Sequence, residues 1–242
     1  MMNRHKQLPL AVSLPDDETF DSYVSTNNQL AKQHLQQFIA LPLPANPTGL
    51  YLFGAAQVGK SHLLHASCSY ATVMQKSSVC LSIAEINQLS VQVLEGLEQI
   101  DLVCLDDIHL IQRNQPWQRA IFDLFNRLNE HGKQLIVAGN VPALTLNMEL
   151  ADLQSRLTWG HTIQLKALSD DEKILAIQQR AKQRGLVLQQ DVAKFIVNRF
   201  SRGMHDLIAC LEQLDNASIQ EQRKITIPFI KQVIKPVNRH TE

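Results

Sequence analysis

The chain has 242 residues, of which 45% are hydrophobic, and its 23 Lys+Arg balance its 23 Asp+Glu for a formal net charge of zero. This size allows one large domain or a domain with a smaller appendage, and the apolar fraction is ordinary for a chain that buries a core. A protein that binds DNA over a wide surface usually carries a basic excess, so zero net charge argues against a strong direct DNA contact.

The cysteines and the hydropathy pattern predict an intracellular protein. The four cysteines lie far apart and form no C-x-x-C pair; they are Cys68, Cys80, Cys104 and Cys210. Cys80 and Cys104 lie in apolar runs, so we expect buried free thiols in a reducing compartment. No segment is apolar for long enough to span a bilayer and the N-terminus lacks a signal-peptide pattern, which predicts a cytoplasmic protein without a membrane partner.

The first predicted elements are a tail and a helix. Residues 1–17 contain two prolines and little periodicity, which predicts an extended tail. From Thr19 to Leu41 apolar residues recur with helical spacing, which predicts one helix. Its expected apolar face consists of Leu30, Leu35, Phe38 and Ile39.

Residues 18–166 alternate short apolar runs with amphipathic stretches, as α/β domains do. The compact apolar runs are expected of central strands that helices cover on both faces. The predicted strands are residues 49–53, 77–83, 101–107, 133–139 and 161–165. This alternation predicts a central parallel five-stranded sheet between two helical layers, which is a three-layer αβα domain.

The pattern changes after the fifth predicted strand, and residues 167–242 predict a small all-α domain. Ser169 and Glu172 have the spacing of a capping box at the start of a helix. Three more helical stretches follow, and residues 224–226 (KIT) are the one candidate strand.

Residues 54–61 (GAAQVGKS) match the phosphate-loop pattern G-x-x-x-x-G-K-[ST]. They follow an apolar strand and open a helix, which is the context that the motif requires. Backbone N–H groups of such a loop surround phosphate oxygens, Lys60 reaches the outer phosphates and Ser61 offers its hydroxyl to Mg²⁺. The predicted nucleotide-binding residues of the loop are Gly54, Ala55, Ala56, Gln57, Val58, Gly59, Lys60 and Ser61.

The second chemical element is the sequence LVCLDD. An apolar strand that ends in acid places Asp106 at the carboxyl edge of the sheet, beside the phosphate loop if the two strands are neighbours. Asp106 is then expected to hold Mg²⁺ through water, and Asp107 to orient or deprotonate an attacking water. The alternative is a strand that merely ends at a solvated acidic turn, and the phosphate loop upstream favours the functional interpretation.

Three further polar features have two interpretations each. Asn140 ends an apolar run and is either a turn former or a sensor that positions water near a γ-phosphate. Arg156 is either a surface arginine or a group that stabilises the charge of a transferring phosphate, and the sequence does not say whose phosphate. His62 and His65 follow the loop at i, i+3 without a nearby acid or thiol, so a helix-face pair is favoured over a metal site. His62 is counted among the nucleotide-binding candidates.

The order of these motifs resembles the AAA+ ATPases. More narrowly, residues 19–38 (TFDSYVSTNNQLAKQHLQQF), 59–66 (GKSHLLHA) and 105–108 (LDDI) are similar to the nucleotide-binding module of the bacterial replication initiator DnaA. The likeness covers about residues 18–235. It implies an AAA+ αβα domain followed by a helical lid, with ADP or ATP and Mg²⁺ as cofactors.

Two departures from the initiator narrow the resemblance. The chain ends at Glu242, so we expect no helix-turn-helix DNA-binding domain, and its tail contains QLPLAV, which is similar to peptides that dock on the DNA polymerase sliding clamp. Together these features resemble the DnaA-homologous regulatory inactivators, the Hda family. The clamp-binding residues that this implies are Gln7, Leu8 and Leu10.

This resemblance implies a negative regulator of chromosomal replication initiation. Its implied partners are DnaA and the DNA polymerase III sliding clamp (beta subunit). DNA is implied to be contacted only through the clamp, and homo-oligomer formation is left open. Arg156 is implied to act in trans as an arginine finger on ATP bound to DnaA. Base contacts are implied around Tyr23, Val24 and Asn28.

Two local departures from the AAA+ pattern predict weak intrinsic hydrolysis. The usual loop has glycine where Gln57 stands, and its loss restricts the backbone close to the phosphates. The second-sensor arginine of the lid aligns with His205, a weak phosphate partner, and Arg202 is an alternative three residues away. The competing hypothesis is a self-sufficient AAA+ ATPase such as a helicase loader or clamp loader. The helical lid and the paired acids disfavour a kinase of small metabolites.

Overall fold

The structure is a computed structural model that describes residues 18–45, 48–200 and 203–234. The predicted tail with Gln7, Leu8 and Leu10 lies outside the described residues, as does Arg202.

The described chain contains five strands and nine α-helices. The strands are Gly49–Phe53 (β1), Ser78–Ser82 (β2), Leu102–Asp106 (β3), Gln134–Gly139 (β4) and His161–Gln164 (β5). The helices are Gln29–Ala40 (α1), Lys60–Val73 (α2), Ile83–Ile86 (α3), Gln115–Glu130 (α4), Ala151–Trp159 (α5), Asp170–Gln183 (α6), Gln190–Phe200 (α7), Met204–Glu221 (α8) and Ile227–Val233 (α9). Single 3₁₀ turns occupy Val91–Leu94, Leu97–Gln99, Ile108–Ile111 and Ala143–Thr145.

The strands form one parallel sheet in the order β2-β3-β4-β1-β5. Every residue of β3 and β4 is buried, because helices cover both faces of the sheet at its centre. The edge strand β5 has one buried residue, Ile163. The predicted five-stranded parallel α/β fold with a helical lid is confirmed.

Successive side chains of the strands point to opposite faces of the sheet and pack into two separate hydrophobic cores. Leu50 and Leu52 of β1 pack with α1 and α2 on one face, whereas Tyr51 packs with α4 and α5 on the other. This alternation follows from the two-residue period of a strand. All four cysteines are buried free thiols, as predicted. Among the described residues, no helix combines the length and the apolarity that crossing a membrane requires.

The predicted helix from Thr19 to Leu41 is too long at its start. The structure has turns before Gln29, where Thr19 and Ser22 bond to each other: the Thr19 N–H donates to Ser22 Oγ over 2.9 Å and the Ser22 hydroxyl donates to the Thr19 carbonyl over 3.0 Å. Such hydroxyl bonds satisfy backbone groups locally and compete with a helix. The assignment of Leu30 to the apolar face is also wrong, because this side chain is 69% exposed.

The lid is built from α6 to α9 around its own apolar core. The predicted capping box is confirmed, since Ser169 and Glu172 bond reciprocally at the start of α6. Residues 224–226 form no strand. Instead Thr226 caps α9, its hydroxyl accepting the N–H of Phe229 over 3.4 Å, a short-range bond that the candidate strand could not make.

Glu172 also fastens the lid to the N-terminal segment. Its Oε1 accepts the backbone N–H groups of Thr26 over 2.5 Å and Asn27 over 3.2 Å, while Oε2 accepts the N–H of Ser169 over 2.7 Å. Burial raises the pKa of Glu172, but these bonds to its charged form outweigh burial, so the pKa lies below the usual 4.5.

Replacing Glu172 with glutamine is expected to lower the free energy of unfolding by about 1–3 kcal/mol near pH 7, because backbone donors lose a charged acceptor. The native pKa is lowered, so this stabilisation is present above the unfolded-state value and is lost as pH falls through the folded-state value. In denaturant unfolding, the difference in the free energy of unfolding between wild type and variant should therefore become smaller below pH ~4.

The matched control is Asp171→Asn, which removes an exposed carboxylate one residue away on the same helix. We expect it to change the free energy of unfolding by less than ~0.5 kcal/mol. The role assigned to Glu172 would be contradicted if both variants lost the same free energy of unfolding. It would also be contradicted if the loss in Glu172→Gln did not change with pH.

Candidate nucleotide-binding site

A cavity of about 430 Å³ opens at the carboxyl ends of the strands, between the αβα layers and the lid. Its walls come from the N-terminal segment, the phosphate loop, the ends of β3 and β4, and helices α6 and α8. Open α/β sheets bind ligands at this edge, where neighbouring connections leave the sheet in opposite directions.

The phosphate loop joins β1 to α2. Gly59 has φ +91°, and a Cβ there would lie 2.7 Å from the Tyr23 ring, so this turn requires glycine. The ammonium group of the buried Lys60 donates to the carbonyl oxygens of Gly54 and Ala55, each over 2.9 Å. Burial lowers the pKa of Lys60, and the nearby Asp106 and Asp107 partly oppose this shift. Residues 56–61 line the cavity, whereas Gly54 and Ala55 are not among its lining residues.

Gln57 occupies the loop position at which glycine was expected from the resemblance. Its φ of +65° lies in the left-handed region that favours glycine, so a side chain is carried here at some conformational cost. The Gln57 side chain reaches the start of α8, where it fills the space that a Cβ on Gly203 would need. The residue that departs from the usual loop therefore joins the loop to the lid.

Ser61 and Asp106 form the candidate magnesium site. The Ser61 hydroxyl donates to Asp106 Oδ2 over 2.5 Å, and burial raises the pKa of Asp106. The strand that carries the acids, β3, is not a neighbour of β1, which was the condition for placing Asp106 beside the loop, because β4 lies between the two strands. Asp106 nevertheless reaches Ser61 across the end of β4. A hydroxyl facing a carboxylate is a suitable oxygen donor pair for a hydrated Mg²⁺.

Asp107 and Asn140 both line the cavity, at the ends of β3 and β4. Asp107 has φ +58°, and its N–H donates to Asp106 Oδ1 over 2.8 Å, which fixes the turn that carries the second acid. The Asn140 amide nitrogen lies 2.8 Å from Nε2 of His109, a cavity residue that the sequence reasoning missed. Its only signal was its place in LDDIH, directly after the acids.

The predicted base contacts separate into lining and supporting residues. Tyr23 and Val24 line the cavity, but Asn28 does not. The buried Asn28 donates to the Tyr23 hydroxyl over 3.1 Å and to the Lys166 carbonyl over 2.9 Å. The Tyr23 hydroxyl donates in turn to the Val58 carbonyl over 3.2 Å. Asn28 therefore supports Tyr23, which lines the cavity, without lining the cavity itself.

His62 fastens the N-terminal segment to α2. Its Nε2 lies 2.9 Å from the Thr19 carbonyl oxygen and 3.2 Å from Ser22 Oγ, and its ring centroid lies 5.4 Å from that of Tyr23. Burial lowers the pKa of His62, which favours the neutral ring. The described residues contain no cluster of three or more His, Cys, Asp or Glu side chains that could hold a metal.

The lid contributes His205 of α8 and Arg180 of α6 to the cavity. His205 is exposed at the cavity mouth. Arg180 was not identified from the sequence, because a basic residue in the middle of an amphipathic helix resembles any solvent-facing position. Its charge lowers the pKa of Glu18 and His62, as one of the weaker influences on each.

Arg156 lies on α5 and is not among the residues that line the cavity. Its guanidinium carbon lies 5.7 Å from the centroid of the Phe125 ring and 5.5 Å from that of Trp159. It forms no ion pair with any residue that the structure describes. Trp159 is 78% exposed. The two side chains border a cleft of about 290 Å³ on the protein surface.

The phosphate loop, the paired acids at the end of β3 and the helical lid over the cavity define a P-loop AAA+ protein. The bacterial DnaA ATPase domain family matches residues 14–164, and the family described as Hda, lid domain, matches residues 170–234. The chain therefore belongs to the bacterial DnaA ATPase domain family and carries an Hda-type lid.

Solved structures share this fold. Domain III of the Thermotoga maritima replication initiation protein DnaA is 18% identical, with 92% of this chain and 98% of that chain covered and a TM-score of 0.80. AMPPCP-bound DnaA from Aquifex aeolicus is 20% identical, with 86% and 68% covered and a TM-score of 0.70. The RuvB Holliday junction branch migration motor of Thermotoga maritima is 15% identical, with 91% and 71% covered and a TM-score of 0.66.

Proposed function

We propose that this protein is a negative regulator of chromosomal replication initiation that holds an adenine nucleotide and stimulates ATP hydrolysis by DnaA. The observation that carries the proposal is the position of Arg156: its guanidinium is unpaired among the described residues, lies against two aromatic rings and is absent from the wall of its own cavity. An arginine placed in this way is available to the ATP of a neighbouring molecule.

The cavity supports the nucleotide part of the proposal. AMPPCP, an ATP analogue, is bound by the DnaA structure that shares this fold. Lys60 would contact the outer phosphates of ADP or ATP, Ser61 and Asp106 would hold Mg²⁺ directly and through water, and Tyr23 and Val24 would contact the base. Bound magnesium would neutralise charge on the phosphates.

Two side chains support a holding role over rapid turnover. Gln57 keeps the loop in a conformation that favours glycine and contacts the lid, so the loop is less free to adjust around a changing phosphate. The resemblance aligns His205 with an arginine that would neutralise transition-state charge, and a histidine is a weaker phosphate partner. The alternative, Arg202, lies outside the described residues.

A specific observation favours a second candidate, a self-sufficient AAA+ ATPase such as a helicase loader or clamp loader. Asp107 and Asn140, the residues expected to handle an attacking water, both line the cavity. Steady turnover of ATP by the protein alone, at a rate above about 1 s⁻¹, would favour this candidate.

The proposed partners are DnaA and the sliding clamp, with the clamp bound through Gln7, Leu8 and Leu10. This part is supported by the sequence of the tail alone. An extended peptide of this kind is ordered on binding, with leucines in an apolar pocket and the glutamine at its edge.

The test uses ATP-bound DnaA and clamp-loaded DNA, with hydrolysis of the DnaA-bound ATP followed in a single turnover. We expect wild-type protein to accelerate hydrolysis, and the double variant Gln7→Ala, Leu8→Ala to lose at least about tenfold of this effect at limiting concentration, because two anchoring contacts are removed. Ser13→Ala, outside the peptide, is the control. Equal acceleration by both variants would contradict clamp docking, and no acceleration by wild type would contradict the proposed function.

A further inference from the structure

His109 lies close to both Asp107 and Asn140, which line the candidate nucleotide cavity. It lies on the 3₁₀ turn after β3, with its side chain 22% exposed. Its Nε2 lies 2.8 Å from the amide nitrogen of Asn140, and its Nδ1 lies 3.9 Å from Oδ1 of Asp107. The side chains of Asp107, His109 and Asn140 all line the cavity.

Hydrogen-bond chemistry fixes the roles of the two ring nitrogens. An amide N–H₂ group can only donate, so Nε2 of His109 accepts from Asn140 and the ring proton of a neutral imidazole is on Nδ1. This Nδ1 atom is buried and has no hydrogen-bond partner. A buried donor without a partner is costly, and Oδ1 of the Asp107 carboxylate lies 3.9 Å away, beyond bonding distance.

We propose that His109 is a positioning residue that holds the Asn140 amide in one orientation and so contributes to the discrimination of the cavity between nucleoside triphosphate and diphosphate. The inference rests on the proposed nucleotide binding. A terminal phosphate beside Asn140 and Asp107 meets one amide and one carboxylate. With Asn140 bonded to His109, its amide is held in one orientation. Nδ1 of His109 lies 3.9 Å from the Asp107 carboxylate, whose charge repels a phosphate.

A matched pair of amide variants separates the two bonds. Glutamine places its amide near the position of Nε2, so His109→Gln keeps a group that can accept from Asn140. Asparagine is one methylene shorter and places its amide near Nδ1, so His109→Asn keeps the group beside Asp107 and loses the bond to Asn140. Both replacements are polar and uncharged.

The measurement is the dissociation constant of AMPPCP and of ADP, each with Mg²⁺, determined by calorimetry. We expect His109→Asn to weaken AMPPCP binding by about tenfold, the value of one lost hydrogen bond to an ordered group, with ADP binding within about twofold of wild type. His109→Gln should bind both nucleotides within about threefold of wild type. In an Asn140→Ala background, His109→Asn should add no further change, because its partner is already absent.

The outcomes distinguish the inference from the function on which it rests. The positioning role is wrong, while nucleotide binding stands, if wild type binds both nucleotides and His109→Asn weakens the binding of both equally. The same conclusion follows if His109→Asn weakens AMPPCP binding as much in the Asn140→Ala background as in wild type. If wild type binds neither nucleotide, both proposals are overturned. Thermal unfolding of the two variants serves as the structural readout: a purely structural role would lower both Tm values together and leave the ratio of the two dissociation constants unchanged.

Discussion

Replacing Arg156 with alanine is expected to reduce the acceleration of DnaA-bound ATP hydrolysis by about 10³-fold to 10⁵-fold, the range that an arginine supplied in trans contributes to phosphoryl transfer. The reason is electrostatic, since the guanidinium would neutralise charge that develops on the transferring phosphate. The variant should fold normally, because Arg156 forms no ion pair among the described residues and is only half-buried. Its nucleotide affinity should be unchanged, because Arg156 does not line its own cavity.

The structure offers a matched control for this variant. Arg199 on the lid also lies over aromatic rings, 6.0 Å from the centroids of both Phe195 and Phe200, and is exposed. Arg199→Ala therefore removes the same charge and the same type of ring contact at another surface. We expect it to accelerate hydrolysis as well as wild type. If Arg156→Ala accelerates hydrolysis as well as wild type, the arginine-finger proposal is wrong. If Arg156→Ala and Arg199→Ala lose the same acceleration, the effect is a general one of charge.

Arg156→Lys tests the chemistry of the contact. A lysine keeps the positive charge but not the planar fork, which contacts two phosphate oxygens at once. We expect it to restore only a small part of the acceleration. The neighbouring Trp159 holds the guanidinium from one side and exposes 78% of its own surface, so the same patch can contact the partner.

The sequence could predict the phosphate loop and the acidic strand end because both depend on local chemistry. Glycine at position 59 follows from a backbone that must have positive φ, and an acid after an apolar strand marks the carboxyl edge of a parallel sheet. The order of strands has no such local signal. Nothing in the residues of β1 and β3 says that β4 separates them, because the order depends on how the crossover helices pack.

The residues that were missed or wrongly assigned depend on tertiary contacts. His109 becomes a candidate only when the fold brings it to 2.8 Å from Asn140, which lies 31 residues away in the chain. Leu30 has the spacing of a core residue, but the turns before Gln29 change where the helix starts and leave this side chain in solvent. The departure at Gln57 could be seen in the sequence, whereas its contact with Gly203 could not.

Replacing Lys60 with alanine is expected to weaken ADP and ATP binding by about 100-fold or more, because charge-assisted hydrogen bonds to the outer phosphates are lost. Calorimetry with ADP and Mg²⁺ measures this directly. A second readout is thermal unfolding: a ligand present at 100 times its dissociation constant stabilises a protein by about 2.7 kcal/mol, and the variant should lose nearly all of that shift.

Lys76 is a control with the same local chemistry at a remote site. Its ammonium group donates to the carbonyl oxygens of Ile39 over 2.5 Å and Leu41 over 2.6 Å at the end of α1, and burial lowers its pKa as it does that of Lys60. Lys76→Ala should lower the free energy of unfolding without changing nucleotide affinity. If the two lysine variants bind ADP equally well, Lys60 is a structural lysine and the cavity is not a phosphate site.

The Lys60 and Arg156 variants together separate holding a nucleotide from acting on one. Arg156→Ala should bind ADP normally and fail to accelerate DnaA, because its charge is needed only at the partner's ATP. Lys60→Ala should lose ADP, and its effect on DnaA then reports whether the bound nucleotide is needed to keep the lid and the loop in place. Gln57 and Glu172 join these elements, so loss of acceleration in Lys60→Ala that added ADP cannot restore would show that the nucleotide organises the surface that carries Arg156.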